Sequence, residues 1–420
     1  MWTIFFVSFI SSILFTKPLF YFLEKNKIYD IPNHRSVHKN NILRMGGLLF
    51  LFGYLSSIAY LYISSPDLFT TQTKGIIIGA ICIAILGAVD DLKNLNSKLK
   101  FIIECLIAYM VCQFDISIDS FALFGHNIET NQWATPITIF WIVGITNALN
   151  LLDGLDGLAG GVAAIIMITL IYLNQDGFHT AILLPAILGG LLVFLRLNMN
   201  PAKIFMGDVG SLFLGFHISV FSLTMLSFKT ATLGILTPVL LIGLPVIDTS
   251  LAIIRRANKG QKIFEADKSH IHHRLLSMGV SHKNVVRVLH SVSILLSILV
   301  IYSSKSIQNT SGFLIFGSGI ILTICIYSFY ATQKVYANGK IAGHKAGLRK
   351  ALYLYLYSQN IKNVDVPYEE KLKNIKIEDI ESILLQAYYE KGLNNTAKFL
   401  ELLEVQDTEK EIEWDDSPLD

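Results

Sequence analysis

The sequence predicts an all-α polytopic membrane protein, and two observations carry that prediction. Hydrophobic residues are 52% of the 420 and charged residues only 16%, far more apolar than a soluble chain of this length needs to be. The apolar residues also gather into runs, and a spanning helix takes about 20 mostly apolar residues. Eleven runs qualify as candidate transmembrane helices.

In chain order the runs are Trp2–Leu23, Met45–Ser64, Gly75–Val89, Leu99–Phe114, Pro136–Leu152, Gly157–Leu173, Ala181–Leu197, Ser211–Leu226, Leu233–Ile254, Val288–Ser303 and Gly312–Ala331. The first is too long for a signal peptide and lacks a small-residue cleavage site, so it is expected to remain as a span. Between the fourth and fifth runs, Asp115–Ala134 alternates polar and apolar residues around Gly125–Asn127, the pattern of a short external hairpin. Cys82, Cys105, Cys112 and Cys325 fall inside runs without ligand-like spacing and read as packing residues. Beyond Thr332 the runs stop. Ile377, Ile380, Ile383, Leu384 and Tyr388 keep helical spacing, and the chain ends in the acidic stretch Glu411–Asp420, which reads as disordered. The expected domains are thus a membrane core over 1–331 and a partly helical cytoplasmic tail over 332–420.

Orientation follows from the basic residues. One set of short loops carries Lys25, Lys27, Arg35, Lys39, Arg44, Lys93, Lys98, Lys100, Arg196, Lys203, Arg255, Arg256, Lys268 and Arg274 among others, whereas the opposite set holds little beyond Lys74, Lys229 and Lys305. The positive-inside rule makes the first set cytoplasmic, with the N-terminus outside and the C-terminus inside. The net charge of +2 is uninformative about partners, and no nucleic-acid partner is expected.

Four polar clusters end hydrophobic runs, and this topology puts all of them at the cytoplasmic face of the cell membrane. Asp90 and Asp91 are adjacent carboxylates that repel unless cations or a metal lie nearby. Asn150, Asp153 and Asp156 either share one helix face or, because of Gly154 and Gly157, sit where the helix unwinds. In FMGDVGS, residues 205–211, two glycines flank Asp208; such a turn lets backbone amides at a helix start face an anion while the carboxylate holds a cation. His270, His272, His273 and Arg274 form a cationic surface suited to phosphate oxygens, and zinc is the rival ligand there. Together the clusters describe a magnesium diphosphate site. Asn147 and Asp248 lie within runs; the first reads as a helix contact, and the second is either a partnered structural carboxylate or part of a path for a lipid phosphate.

These residues carry a resemblance. DIPNHRSVHKNNILRMGG, Asp90-Asp91, NALNLLDGLDGLAGG, FMGDVGS, LPVIDT and DKSHIHHRL, from about Asp30 to Ala331, resemble the polyprenyl-phosphate N-acetylhexosamine-1-phosphate transferases of glycosyltransferase family 4 type. HIHHR is similar to the branch that uses UDP-N-acetylglucosamine. Two features depart from the family: Leu43 stands before Arg44 where Pro is usual, and the tail after Ala331 has no counterpart in the usual core.

The resemblance implies transfer of N-acetylglucosamine 1-phosphate, or a related N-acetylhexosamine 1-phosphate, from a UDP-sugar to polyprenyl phosphate, releasing UMP. It assigns magnesium, with manganese as an alternative, to Asn150 and Asp208. It places Asp90, Asp91, Asp153 and Asp156 in catalysis, and Lys39, Arg44, Lys100, Phe205, His270, His272, His273 and Arg274 on the substrates. Asp90 is the candidate base, although direct attack without proton abstraction is equally allowed. The partners implied are the UDP-N-acetylhexosamine, the lipid and the membrane, with a homodimer left open. The related phospho-N-acetylmuramoyl-pentapeptide-type transferase is the alternative within the class. From a different class, an ion-coupled secondary transporter would use half-broken spans, but it does not explain clusters gathered at one face.

Overall fold

Residues 1–30, 41–123, 126–174, 179–224, 235–258 and 270–305 are described by a computed structural model, and most of them are helical. The helices are α1 (Trp2–Lys25), α2 (Gly47–Ser64), α3 (Thr71–Lys93), α4 (Ser97–Cys112), α5 (Ala134–Leu152), α6 (Leu158–Leu173), α7 (Leu183–Asn198), α8 (Gly207–Thr224), α9 (Leu236–Leu241), α10 (Gly243–Asn258), α11 (Ile271–Ser277) and α12 (His282–Lys305). Lys39, the run Gly312–Ala331 and the whole tail lie outside the described residues.

Among the described residues, six helical stretches are long and apolar enough to cross a membrane: Trp2–Lys25, Gly47–Ser64, Thr71–Lys93, Asn131–Leu152, Thr180–Asn198 and His282–Tyr302. Leu158–Leu173 and Gly207–Leu223 are apolar but shorter. Of the other expected runs, the eleventh lies outside the described residues and the sixth and eighth give these two shorter helices, while the fourth and ninth differ for physical reasons. The fourth run yields a helix of 16 residues. The ninth is interrupted at Ile242, between α9 and α10, where Pro245 has no amide hydrogen to donate and crowds the carbonyl four residues back. The outward faces are apolar, with Phe140 80% and Ile63 83% exposed, which suits hydrocarbon rather than water.

Helix α8 occupies the centre, packed by α3 and α5 and also by α2 and α6. Its Leu212, Phe213, Leu214, Phe216 and Phe221 are fully buried. Without a hydrophobic drive between helices in lipid, small residues that let backbones approach supply the packing. Gly87 of α3 lies against the first turn of α8, where a Cβ would stand 2.5 Å from the Asp208 carbonyl oxygen. Helix α1 is tied to α2 by Ser12 Oγ donating to Leu49 O (3.0 Å) and Ser57 Oγ donating to Ile4 O (3.0 Å).

Two small antiparallel sheets are present among the described residues. Strands β3 (Ser120–Leu123) and β4 (His126–Glu129) pair with Ser120 opposite Glu129, the hairpin expected between the fourth and fifth runs. Strands β1 (Tyr29–Asp30) and β2 (Ile42–Leu43) pair with Tyr29 opposite Leu43. From β2 the chain is stitched to the segment before α8. Phe205 N donates to Leu43 O (2.8 Å), Gly46 N to Phe205 O (2.7 Å) and Gly47 N to Met206 O (2.9 Å). The loop carrying Arg44 and the FMGDVGS segment therefore form one unit.

Candidate active site

Local sequence explains how the α3–α4 connection brings a lysine back over the aspartates. Helix α3 ends at Asn94, whose φ of 49° is left-handed, a conformation that asparagine tolerates better than most residues. Asn96 then caps α4 by accepting from Lys98 N at 2.9 Å. The reversal places Lys100 Nζ 2.8 Å from Asp90 Oδ2, and the same ammonium pairs with Asp208. The other Asp90 oxygen accepts from Leu95 N at 2.7 Å.

Asp91 has a different occupation. Its carboxylate is fully buried and accepts from the amides of Asp208 (2.8 Å) and Val209 (3.0 Å), while Arg44 Nε lies 2.8 Å away. The amides of the FMGDVGS turn, expected from sequence to face a substrate anion, face this side chain instead. The geometry requires Gly207, which has φ +72° and whose missing Cβ would stand 2.5 Å from Asp91 Oδ2. A carboxylate at a helix N-terminus is stabilised by the free amides and the dipole. Asp91 thus ties α3 to α8, and Arg44, which pairs with the same Asp91 oxygen that accepts from Asp208 N, lies 3.8 Å from Asp208 through Nη2.

Helix α5 stops at Leu152, so the unwinding signalled by Gly154 and Gly157 is what forms, and the shared helix face is not. Asn150 Oδ1 accepts from Ser211 Oγ at 2.8 Å, which joins the end of α5 to α8. Asp156 Oδ2 accepts from Asn200 Nδ2 (3.0 Å) and Ala202 N (3.1 Å). Asn198 bridges the same two segments, accepting from Gly157 N and donating to Ile204 O, both at 2.9 Å. Asp153 lies among the other carboxylates. Burial first, then the negative charges of Asp208 and Asp91, push its pKa up to about 7.

A cavity of about 870 Å³ opens where these segments meet. Arg44, Asn150, Asp153, Asp156, Phe205, Asp208 and His273 line it. Asp90, Asp91, Lys100, His270, His272 and Arg274 do not line it; Asp90, Asp91 and Lys100 instead hold its wall from behind through the contacts above. Sequence reasoning missed Asp30, Asn41, Asn198, Asn200, Lys203 and His282, which also line the cavity. Each lies among other polar residues of its loop, and no spacing rule singles it out.

The HIHHR segment is a helix start. His270 and His272 stack with ring centroids 5.9 Å apart, and His272 and His273 are 4.3 Å apart. His272 is buried; burial first, then His273, push its pKa down to about 3, so this ring is neutral rather than cationic near pH 7. Asp248 resolves to a partnered carboxylate, 3.0 Å from His270 Nδ1 and accepting from Ile271 N at 2.8 Å. Asn147, as expected, makes helix contacts: its amide donates to Val143 O at 3.0 Å and to Glu104, a buried carboxylate that no motif announced.

The arrangement is a polar cavity at one end of an apolar helix assembly, with carboxylates from three segments set against Arg44 and Lys100. Comparison with known proteins agrees. The model of glycosyl transferase family 4 matches residues 73–226. A protein of Bacillus subtilis (strain 168), named a probable undecaprenyl-phosphate N-acetylglucosaminyl 1-phosphate transferase, is 38% identical over 292 residues, 68% of this chain and 80% of its own length. A Mycobacterium tuberculosis (strain CDC 1551 / Oshkosh) protein named decaprenyl-phosphate N-acetylglucosaminephosphotransferase is 30% identical over 62% of this chain and 71% of its own. A Streptococcus suis (strain 05ZYH33) phospho-N-acetylmuramoyl-pentapeptide-transferase is 28% identical over 63% and 86%. The chain belongs to glycosyl transferase family 4.

Proposed function

We propose that this protein transfers N-acetylglucosamine 1-phosphate from UDP-N-acetylglucosamine to a polyprenyl phosphate and releases UMP. The observation that carries the reading is the cavity in which Asn150, Asp153, Asp156 and Asp208 meet Arg44 and Phe205. The higher identity to the N-acetylglucosaminyl relative, 38% against 28% for the muramoyl-pentapeptide one, supports the choice of sugar. The cavity end faces the cytoplasm of the cell membrane by the distribution of Lys and Arg, and the full count of eleven spans belongs to the same proposal.

In the reaction a lipid phosphate oxygen attacks the phosphorus that bears the sugar. The bond from that phosphorus to the bridging oxygen breaks, and UMP leaves with the electron pair. Two anions must meet, so charge repulsion dominates the barrier. Arg44 and Lys100 offset it with fixed positive charge, and Phe205 offers an aromatic face to the base. A phosphomonoester has its second pKa near 6, so the lipid phosphate is largely ionised at neutral pH, and Asp90 does not line the cavity, so attack without a protein base is the form we write.

Magnesium, with manganese as its substitute, fits the donors present. Asn150 and Asp208 both line the cavity and offer hard oxygens, and among the described residues no group of three or more His, Cys, Asp or Glu forms a closed metal cage. Magnesium is typically held by one or two carboxylates, with water and substrate phosphates completing its shell. When bound it would supply Lewis-acid neutralisation of the diphosphate oxygens.

The test is purified protein with labelled UDP-N-acetylglucosamine, polyprenyl phosphate and magnesium. UMP and lipid-linked sugar phosphate are expected only when all three are present. Release of UDP instead would overturn phosphosugar transfer, since simple glycosyl transfer leaves both phosphates on the nucleotide. Turnover with the muramoyl-pentapeptide donor alone would move the chain to that branch.

A further inference from the structure

We infer that Asp248 is a positioning residue that acts through His270 and the first amide of α11 to set the HIHHR helix against the turn carrying Asp153 and Asp156. The inference rests on the reading of the cavity as a phosphosugar transferase site. Asp248 sits on α10 and is 1% exposed. A carboxylate buried that far is costly unless its oxygens are satisfied, and both are: Oδ1 by Ile271 N at 2.8 Å and Oδ2 by His270 Nδ1 at 3.0 Å.

The partner helix needs that tie. Helix α11 has seven residues, and its N-cap, His270, makes no side-chain capping bond. So short a helix is not stable by itself, and its first amides have no partner within the helix. Asp248 supplies the missing acceptor from another helix.

Two consequences reach the cavity. His272 is 1% exposed, and neither of its ring nitrogens has a hydrogen-bond partner among the described residues, so no hydrogen bond among them fixes that ring. It is held by stacking on His270 and by the helix it belongs to, in the space beside Gly154 that a Cβ would fill. His273, the next residue, lines the cavity. A displacement of α11 therefore moves the His273 ring and the Gly154 turn together, and displacements of about 1 Å in such constellations cost up to about 10² in rate.

The test is a double-mutant cycle on the full chain with Asp248→Asn, His270→Gln and the pair. UMP release is measured as kcat and KM separately per folded molecule, and melting temperature controls for folding. Each single change is expected to lower kcat/KM by about tenfold or more, with the pair no worse than the more damaging single, because both cut one connection. Asp248→Glu, which keeps charge and acceptors, should recover part of the loss; if the Asn variant fails to fold, His270→Gln alone carries the test, with the same loss of about tenfold or more expected and a value within twofold of wild type overturning the inference. A purely structural role would change only the folded fraction and leave kcat and KM untouched. Losses that multiply in the pair, or an Asp248→Asn enzyme within twofold of wild type, would overturn the inference. The same cycle is read on the dissociation constant for UDP-N-acetylglucosamine by calorimetry, so a wild type that binds the nucleotide sugar yet releases no UMP defeats the proposed function and still decides the role of Asp248.

Discussion

Asp208 is the residue on which the charges converge: Lys100 pairs with it, Arg44 stands 3.8 Å away and the α3 aspartates lie behind it. Asp208→Asn keeps its shape and removes the charge that would hold a hard cation. Loss of one well-placed electrostatic contact commonly costs on the order of 10² to 10³ in rate, so the variant should fold in detergent and turn over at least about a hundredfold more slowly. Near-normal rates with unchanged magnesium dependence would remove the ligand assignment. Asp153 makes a prediction of opposite flavour. Its pKa is raised to about 7, from about 4 for an ordinary aspartate, so the folded state holds a proton that the unfolded chain has already released. Stability associated with this group is therefore present below about pH 4 and lost as pH rises toward 7. Asp153→Asn should melt higher than wild type at pH 8, and that gain should shrink steeply by pH 5. An equal gain at both values would mean that the Asp153 carboxyl is not the strained group.

At the scale of elements, the contact of α3 with α8 decides whether the site exists. Glycine inside a helix is usually worse than alanine by about 0.5–1 kcal/mol, so Gly87→Ala would ordinarily stabilise. Here the added methyl would meet the Asp208 carbonyl oxygen and Val209 Cα at 2.5 and 2.6 Å, backbone atoms that cannot rotate away. The steric term outweighs the propensity term, and Gly87→Ala is expected to lower both melting temperature and turnover. A stabilised, fully active variant would show that the helices are less closely packed than described. The same contact marks the limit of what could be read in advance. Carboxylates ending apolar runs stand out in one dimension, and the unwinding at Gly154 and Gly157 was one of the two geometries that the spacing allowed. That Asp91 caps α8 did not, because the bond joins residues 117 positions apart and a capping signal is visible only when cap and helix are neighbours in sequence.

On the scale of the whole molecule, composition was enough for the class, because lipid permits few architectures and each announces itself in apolar runs. The site was legible as a list of clusters but not as an arrangement. Asn198 stitches the Gly157 turn to Ile204, and Lys203 and His282 reach the cavity, yet each is an ordinary polar residue until the helices are brought together. The described cavity takes all its lining from residues 30–282, and none of the clusters lies beyond Ala331. Chemistry that is complete within that stretch should survive loss of the C-terminal tail. Deleting the residues after Asn363 is therefore expected to leave turnover per folded molecule within a few-fold of the full chain, even if less protein accumulates. The measurement is UMP release normalised to the monodisperse fraction, since abundance and chemistry would otherwise be confounded. A hundredfold loss in a monodisperse truncation would mean that the tail completes the site, and the division between a catalytic core and an appendage would have to be given up.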